Sequence, residues 1–463
     1  MTLTQILTAD QMSEAEQALF DSGTSTTQLM ELAAGGAAEW VRRVAAGRSV
    51  TVLCGPGNNG GDGYVIARKL REAGNIVEVI APIAPQTDAA RKAYSAWGGD
   101  VRGSGGKAGG GVFVDCLFGN GLSRSLDAEH ALLLRDCVAR HAFSVAVDLP
   151  SGTASDSGDN LNERLPMFDL TLALGAWKFA HWSLPGRTRM GERRLVPIGI
   201  EPVEGAAHLI TRPQIEAPLP DSQKYKRGLA AIVGGSMPGA AILSSRGAQR
   251  AGAGYVKLFA PHSHPSVTPD LVVDKTALDQ ALSDDRIDAI LVGPGLGRDE
   301  MAKDRLATAI GAGRPMVLDA DALVLLAPDM LSRDLSALMT PHDGELEALC
   351  QSFGVVAKGR RNRATALARS AGAVVLAKGP DTVIAAPDGR VAIAKSAPSW
   401  LSTAGTGDVL AGVAVSRMAN GADPFTAAKE AVWLHCEAAR QCGPAFTADD
   451  IAHAIRGAIA RCL

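Results

Sequence analysis

Residues 403–408, Thr403-Ala404-Gly405-Thr406-Gly407-Asp408, set a carboxylate beside a run of small residues that opens an apolar helix. Main-chain N–H groups of 405–408 can form an anion hole for a phosphoryl group. Asp408 next to that hole can take the proton of an attacking hydroxyl, the general-base role in phosphoryl transfer. The plainer alternative is an aspartate that only stabilises a helix start through the macrodipole; glycines on both sides of Thr406 disfavour it. Upstream, Gly234-Gly235-Ser236, residues 251–254 and residues 293–297 allow close ligand approach. Asp319, Asp321, His342 and Glu345 add polar groups at later strand ends. Lys378 in Lys378-Gly379-Pro380-Asp381-Thr382 supplies a positive charge suited to a nucleotide phosphate.

A second constellation lies in the first half. The segment GPGNNGGDG, residues 55–63, follows an apolar run and precedes a helical stretch, so its amides and the helix N-terminus favour an anion. It has neither the Lys-Ser/Thr end of a Walker A loop nor a GxGxxG fingerprint. A tight turn that binds nothing is the plain alternative, but Asn58, Asn59 and Asp62 are ligand-shaped rather than core-shaped. Asp115 and Asp148 each close a further strand, and carboxylates at neighbouring strand ends converge on one crevice. With Asn59 and Ser151, Asp115 could offer oxygens to a hard cation, leaving Asp148 for proton transfer. Capping of the following turns would be the structural use of the same aspartates.

These residues need rigid elements behind them. Apolar, β-branched runs at 49–54, 76–81, 112–116 and 144–149 each lead into a glycine-rich turn and a helical stretch, the pattern of a mostly parallel sheet covered on both faces. Residues 8–20 and 26–46 read as amphipathic helices, the first capped by Thr8 or Asp10. A proline-rich lapse at 200–221 marks a boundary, giving domains 1–212 and 213–463. A new strand series follows at 229–233, 254–259, 289–292, 316–318, 337–340, 373–377 and 382–386. The glycine-rich stretch 103–111 reads as a flexible loop within the first domain.

Composition narrows the function. At 463 residues the chain exceeds one ordinary core, and 46% apolar with 21% charged residues is globular. A net charge of -3 without basic runs argues against nucleic-acid or anionic-membrane partners and for a small-molecule ligand. No stretch stays apolar long enough to span a bilayer and no leader is visible, so a cytoplasmic location is expected. Seven cysteines without a CxxC pair fit buried thiols rather than a disulfide framework. The oligomeric state stays open, a homo-oligomer included.

The chain resembles the bifunctional NAD(P)H-hydrate repair enzymes, which join an epimerase to a nucleotide-dependent dehydratase of ribokinase-like fold. GPGNNGGDG, DCLFGNGL and VDLPSG carry the first likeness; VGGS, GAG, GPGLG, LDADAL, TPHDGE, KGPDT and TAGTGDVLAG carry the second. The resemblance implies an α/β chain with an N-terminal Rossmann-like three-layer domain and a C-terminal ribokinase-like domain. It implies that Asn59, Asp115 and Ser151 hold K+, and that Asn58, Asn59, Gly60, Gly61, Asp62, Gly119, Asn120, Gly121, Leu122, Ser123, Arg124, Ser125 and Asp148 contact the hydrated dinucleotide. In the second domain Ala253, Gly297, His342 and Asp408 would face substrate. Lys378, Gly379, Pro380, Asp381, Thr382 and Gly407 would hold the phosphates of ADP or ATP, with Mg2+ bridging them. Asp148 would serve the epimerase in proton transfer, with Lys178 a candidate for the second acid or base, and Asp408 would serve the dehydratase. Two other readings remain: a small-metabolite kinase of the ribokinase superfamily with an accessory domain, and a non-catalytic nucleotide-binding regulator.

Overall fold

A computed structural model of the chain describes residues 2–104, 109–261 and 264–463. Residues 105–108 of the glycine-rich loop expected at 103–111 lie outside that set. The chain divides into two compact units, 1–208 and 209–463.

The first unit is built on a parallel sheet of seven strands, running edge to edge as Val101–Arg102, Val77–Ile80, Val50–Cys54, Gly110–Cys116, His141–Val147, Leu170–Leu174 and Glu192–Val196. Counted along the chain this is the order 3-2-1-4-5-6-7, so the winding reverses between Val50–Cys54 and Gly110–Cys116. Ligands of such sheets bind at that reversal, outside the carboxyl ends of the strands. Side-chain alternation produces the layers. Val50, Val52 and Cys54 pack under the helices Thr26–Ala45, Asn58–Glu72 and Asp88–Trp97, whereas Leu53, Phe113 and Leu117 join Leu134 and Cys137 of helix Ala128–Arg140 on the other face. Helix Ala9–Asp21 begins with Thr8 and Gln11 in a reciprocal capping box, and Ser25 with Gln28 does the same for Thr26–Ala45.

In the second unit the sheet runs Val272–Asp274, Tyr255–Phe259, Leu229–Val233, Ile287–Val292, Met316–Leu318, Ala337–Met339 and Val374–Ala377, all parallel, and ends in the antiparallel Val383–Ala385 and Val391–Ile393. Its winding also reverses beside its first strand, between Leu229–Val233 and Ile287–Val292. Ala230 and Ile232 face a core with helices Pro238–Arg250, Thr406–Ala419, Pro424–Cys442 and Ala448–Ala460. Leu229, Ala231 and Val233 face the opposite core with Glu300–Gly311, Asp343–Ser352 and Arg360–Ala371. Both units are thus three-layer α/β structures, the expected fold class. All seven cysteines are free, and six are buried. Among the described residues no helix is long and apolar enough to cross a membrane.

Candidate active sites

In the first unit the turn after Val50–Cys54 passes directly into helix Asn58–Glu72, whose N-cap Gly57 offers no side chain. The helix start therefore keeps its amides for something else. A cavity of about 720 Å3 opens there, lined among others by Asn58, Asn59, Asp62, Gly119, Asn120, Gly121, Leu122, Ser123, Arg124 and Asp148. It gathers most of the residues expected to meet a ligand. Ser125 is an exposed neighbour of that wall. Gly60 and Gly61 serve the packing: a Cβ on Gly60 would lie 1.8 Å from the Gly55 carbonyl oxygen, and one on Gly61 2.5 Å from the Met30 methyl.

Asp148 forms the floor. Its backbone is left-handed, with φ +65°, and its carboxylate accepts from Lys178 Nζ at 2.5 Å, Asn120 N–H at 3.0 Å and Leu174 N–H at 3.3 Å. Lys178, 1% exposed, also donates to the Leu174 carbonyl at 2.6 Å. A buried lysine bonded to a cavity carboxylate is an acid beside a base. Two more carboxylates, from Glu16 and Asp62, line the same cavity. Burial pushes both up, Asp62 well above the usual range, with Asp148 adding repulsion at each and Lys178 opposing it. Thr87 reaches Asn58 Oδ1 at 2.8 Å. Glu16 and Thr87 were not singled out in the sequence, because nothing local marks a helix-face Glu or a helix-capping Thr as cavity-facing.

Asp115 lies fully buried next to this floor. It accepts from Leu117 N–H at 3.0 Å, Ser151 N–H at 2.9 Å and Ser151 Oγ at 2.8 Å. Burial pushes its carboxyl up to about 6 despite those bonds. The Asn59 side-chain nitrogen is buried without a partner, and Asn59 and Asp148 both stand 3.1 Å from where a Gly119 Cβ would be. The Asp115 carboxylate and the Ser151 hydroxyl, 2.8 Å apart, are hard oxygen donors with no cationic side chain among the described residues bonded to Asp115, a chemistry that suits a hard monovalent or divalent cation.

In the second unit, Gly405 is left-handed at φ +85° and helix Thr406–Ala419 starts without a side-chain cap. Asp408 sits in its first turn, half-buried, its carboxyl pushed up to about 6 by burial and by Asp319, against the pull of Lys378. Lys378 Nζ is 2.7 Å from Asp319 Oδ1 and 4.0 Å from Glu345, and stands 3.4 Å from the Cβ position of Gly407. Burial works against its ammonium, yet Asp319 and Glu345 outweigh this and hold its pKa above the ordinary value. Asp319 is itself oriented by Thr340 Oγ1 at 2.7 Å.

The remaining predicted residues are placed as follows. Gly379 and Thr382 close a turn on each other, and Asp381 pairs with Arg360, which also holds Asp343. His342 is exposed and caps helix Asp343–Ser352, Nδ1 accepting from Gly344 N–H at 3.0 Å while Glu345 bonds back to the His342 amide at 2.8 Å. Gly297, φ +90°, donates to Asp321 at 3.0 Å and abuts Ser236, so the loops after the first and fourth strands interlock at the winding reversal. Ala253 is tied to Ser416 at 2.9 Å, on the same helix as Asp408 but roughly 12 Å further along by helical rise. Arg360 and His435 were absent from the sequence reading; buried His435 is held near 4 by burial, its Nε2 without a hydrogen-bond partner among the described residues.

Residues 230–460 match the family model described as NAD(P)H-hydrate dehydratase, and residues 26–180 match the YjeF-related protein N-terminus. The bifunctional NAD(P)H-hydrate repair enzyme of Salinibacter ruber is 34% identical over 95% of this chain and 92% of its own length. Its Escherichia coli counterpart is 30% identical over 93% and 88%. The ADP/ATP-dependent NAD(P)H-hydrate dehydratase of Bacillus subtilis, co-crystallised with ATP/Mg2+, has a TM-score of 0.48 at 27% identity, covering 54% of this chain and 95% of that one. Identity of 30–34% along nearly the whole length, with both family models in order, means that the chain belongs to the bifunctional NAD(P)H-hydrate repair enzymes.

Proposed function

We propose that this protein restores hydrated NADH and NADPH, the segment 1–212 interconverting the R and S hydrates and the segment 213–463 dehydrating the S hydrate with ADP or ATP. The observation that carries the reading is Asp408, a carboxylate with a raised pKa beside an uncapped helix start and the Lys378–Asp319 pair. The ring hydroxyl is a poor leaving group as it stands. Its oxygen attacks the terminal phosphoryl of the nucleotide while Asp408 takes its proton, and the bond from phosphorus to the shortened nucleotide breaks. The new phosphate ester then leaves with the carbon–oxygen electron pair, and loss of a ring proton restores the double bond. Lys378 through Thr382 and Gly407 hold the nucleotide, while Ala253, Gly297, His342 and Asp408 face the hydrate. Magnesium bound with the nucleotide would neutralise charge on its phosphates.

In the first unit Asn58 to Asp62, Gly119 to Ser125 and Asp148 face the dinucleotide. Asp148 and Lys178 exchange the protons that accompany reversible opening at the hydroxyl-bearing carbon. Asn59, Asp115 and Ser151 would hold K+, whose charge would offset the buried Asp115 carboxylate. We place the protein in the cytoplasm.

Each hydrate epimer, incubated with ADP or ATP and followed by recovery of NADH absorbance, tests the scheme. Wild type should consume both, Asp148→Ala only the S hydrate, and Asp408→Ala neither. Asp408→Ala turnover at the wild-type rate, or phosphorylation of a vitamin precursor in place of hydrate repair, would refute it.

A further inference from the structure

We propose that His181, buried behind Asp148 and Lys178, is a positioning residue for epimerisation: a neutral imidazole that ties the two main chains together and so sets the acid against the base. This rests on the epimerase reading of the first unit. His181 has no exposed surface, and its ring stands edge-on to Trp177 at 5.5 Å between centroids. Nδ1 is 2.9 Å from the Lys178 amide nitrogen and 3.2 Å from the Lys178 carbonyl oxygen, and Nε2 is 2.8 Å from the Asp148 carbonyl oxygen. An amide N–H can only donate and a carbonyl can only accept, so the two shorter contacts favour the neutral tautomer protonated at Nε2, over the one in which Nδ1 donates to the more distant Lys178 carbonyl. Burial, reinforced by the nearby Lys178 charge, holds the ring near 4 and keeps it neutral.

The bridge closes a ring of contacts. Asp148 and Lys178 meet once through their side chains at 2.5 Å and again, through His181, by their backbones. Asp148 needs the second tie because it is a non-glycine residue at φ +65°, a conformation that persists only where its surroundings over-determine it. Its amide is fixed to the Leu172 carbonyl at 2.7 Å; the His181 bond fixes the other side of the same residue. Rotation of that backbone would swing the carboxylate away from Lys178 and from the cavity. His181 itself is not among the cavity-lining residues, so its effect on substrate passes through the pair.

The experiment compares the full-length wild type with His181→Leu, which fills the space without hydrogen bonds, and His181→Gln, which restores a donor toward the Asp148 carbonyl. Epimerase kcat should fall about 100-fold in His181→Leu, the scale of a misplaced catalytic group, with KM for the hydrate within about twofold. His181→Gln should recover about tenfold of that loss. Dehydration of S hydrate by the same preparations should stay at the wild-type rate because the second unit is untouched, and a retained cooperative thermal transition of the first unit reports that each variant is folded there. Nitrogen NMR of wild type should show Nδ1 unprotonated at neutral pH. An unchanged kcat in His181→Leu, a joint loss of kcat and S-hydrate turnover, or an Nδ1-protonated ring in wild type would overturn the proposal. Absence of epimerase activity from wild type itself would instead sink the underlying functional reading.

Discussion

Asp408 can act as a base only when ionised, and the surroundings that lift it to about 6 place that requirement inside an accessible pH range. kcat/KM for nucleotide-driven dehydration should therefore be half-maximal near pH 6, rise as pH increases through that value, and level off above it. Initial rates from pH 5 to 8 check this, and a profile falling over the same interval would contradict the base role. Asp408→Asn should lower kcat by about 10²–10⁴-fold, the usual worth of a positioned base. Asp115 supports a different expectation: replacing choline chloride by potassium chloride at equal ionic strength should stabilise the first unit by roughly 1–3 kcal/mol at saturating cation. Thermal unfolding reads the effect, and Asp115→Asn should abolish it. At this scale the sequence was informative where residues cluster along the chain. Asn58, Asn59 and Asp62 share one helix turn, and Asp408 sits among its glycines. It was mute where the partner is distant, as with Glu16 facing Asp62 or His181 reaching back to Asp148, because burial in the tertiary structure decides what those side chains meet.

Helices Pro238–Arg250 and Thr406–Ala419 touch backbone to backbone. A Cβ on Gly412 would lie 2.0 Å from the Ser244 carbonyl oxygen, and one on Gly247 2.6 Å from that of Val409. Gly412→Ala should thus push apart the helix whose first turn carries Asp408, costing about 1–3 kcal/mol in denaturant unfolding and lowering nucleotide-dependent turnover together with it. Wild-type stability in that variant would mean the helices can slide at no expense. Among the elements themselves, interior strands such as Val50–Cys54, Gly110–Cys116 and Leu229–Val233 were legible as unbroken apolar runs because both of their faces are covered. Edge strands were not: Glu192–Val196 carries Glu192, Arg193 and Arg194, while Val101–Arg102 and Val272–Asp274 are too short to show a period. Leu170–Leu174 was overlooked although it is wholly buried between Asp169 and Gly175, since five residues reading Leu-Thr-Leu-Ala-Leu do not separate strand from helix by period.

Each unit has its own cores, so their failures should be separable. Asp148→Ala should leave S-hydrate dehydration intact, and Asp408→Ala should leave epimerisation intact, when the two reactions are assayed apart. The short stretch after His208 belongs by its contacts to the second unit: Ile210 is 4% exposed and its N–H donates to the Ile393 carbonyl at 2.9 Å. A fragment 209–463 should accordingly exceed 213–463 in stability by about 2–4 kcal/mol, the scale of losing a buried isoleucine, as measured by urea midpoints. The two-unit division and the repeated placement of loops beside each sheet's first strand could be anticipated from the order of βα runs. The matching reversal of winding in both sheets could not, because strand order depends on which strands pair and no local pattern states it.

The hard contact between Gly60 and the Gly55 carbonyl bears on how mutational scans of this protein are interpreted. A methyl there collides with the main chain before any ligand arrives, so an inactive Gly60→Ala enzyme reports a misshapen cradle. Truncations at Ser123 or Arg124, exposed side chains that line the same cavity, are the ones whose kinetic penalties speak for the guest rather than for the host.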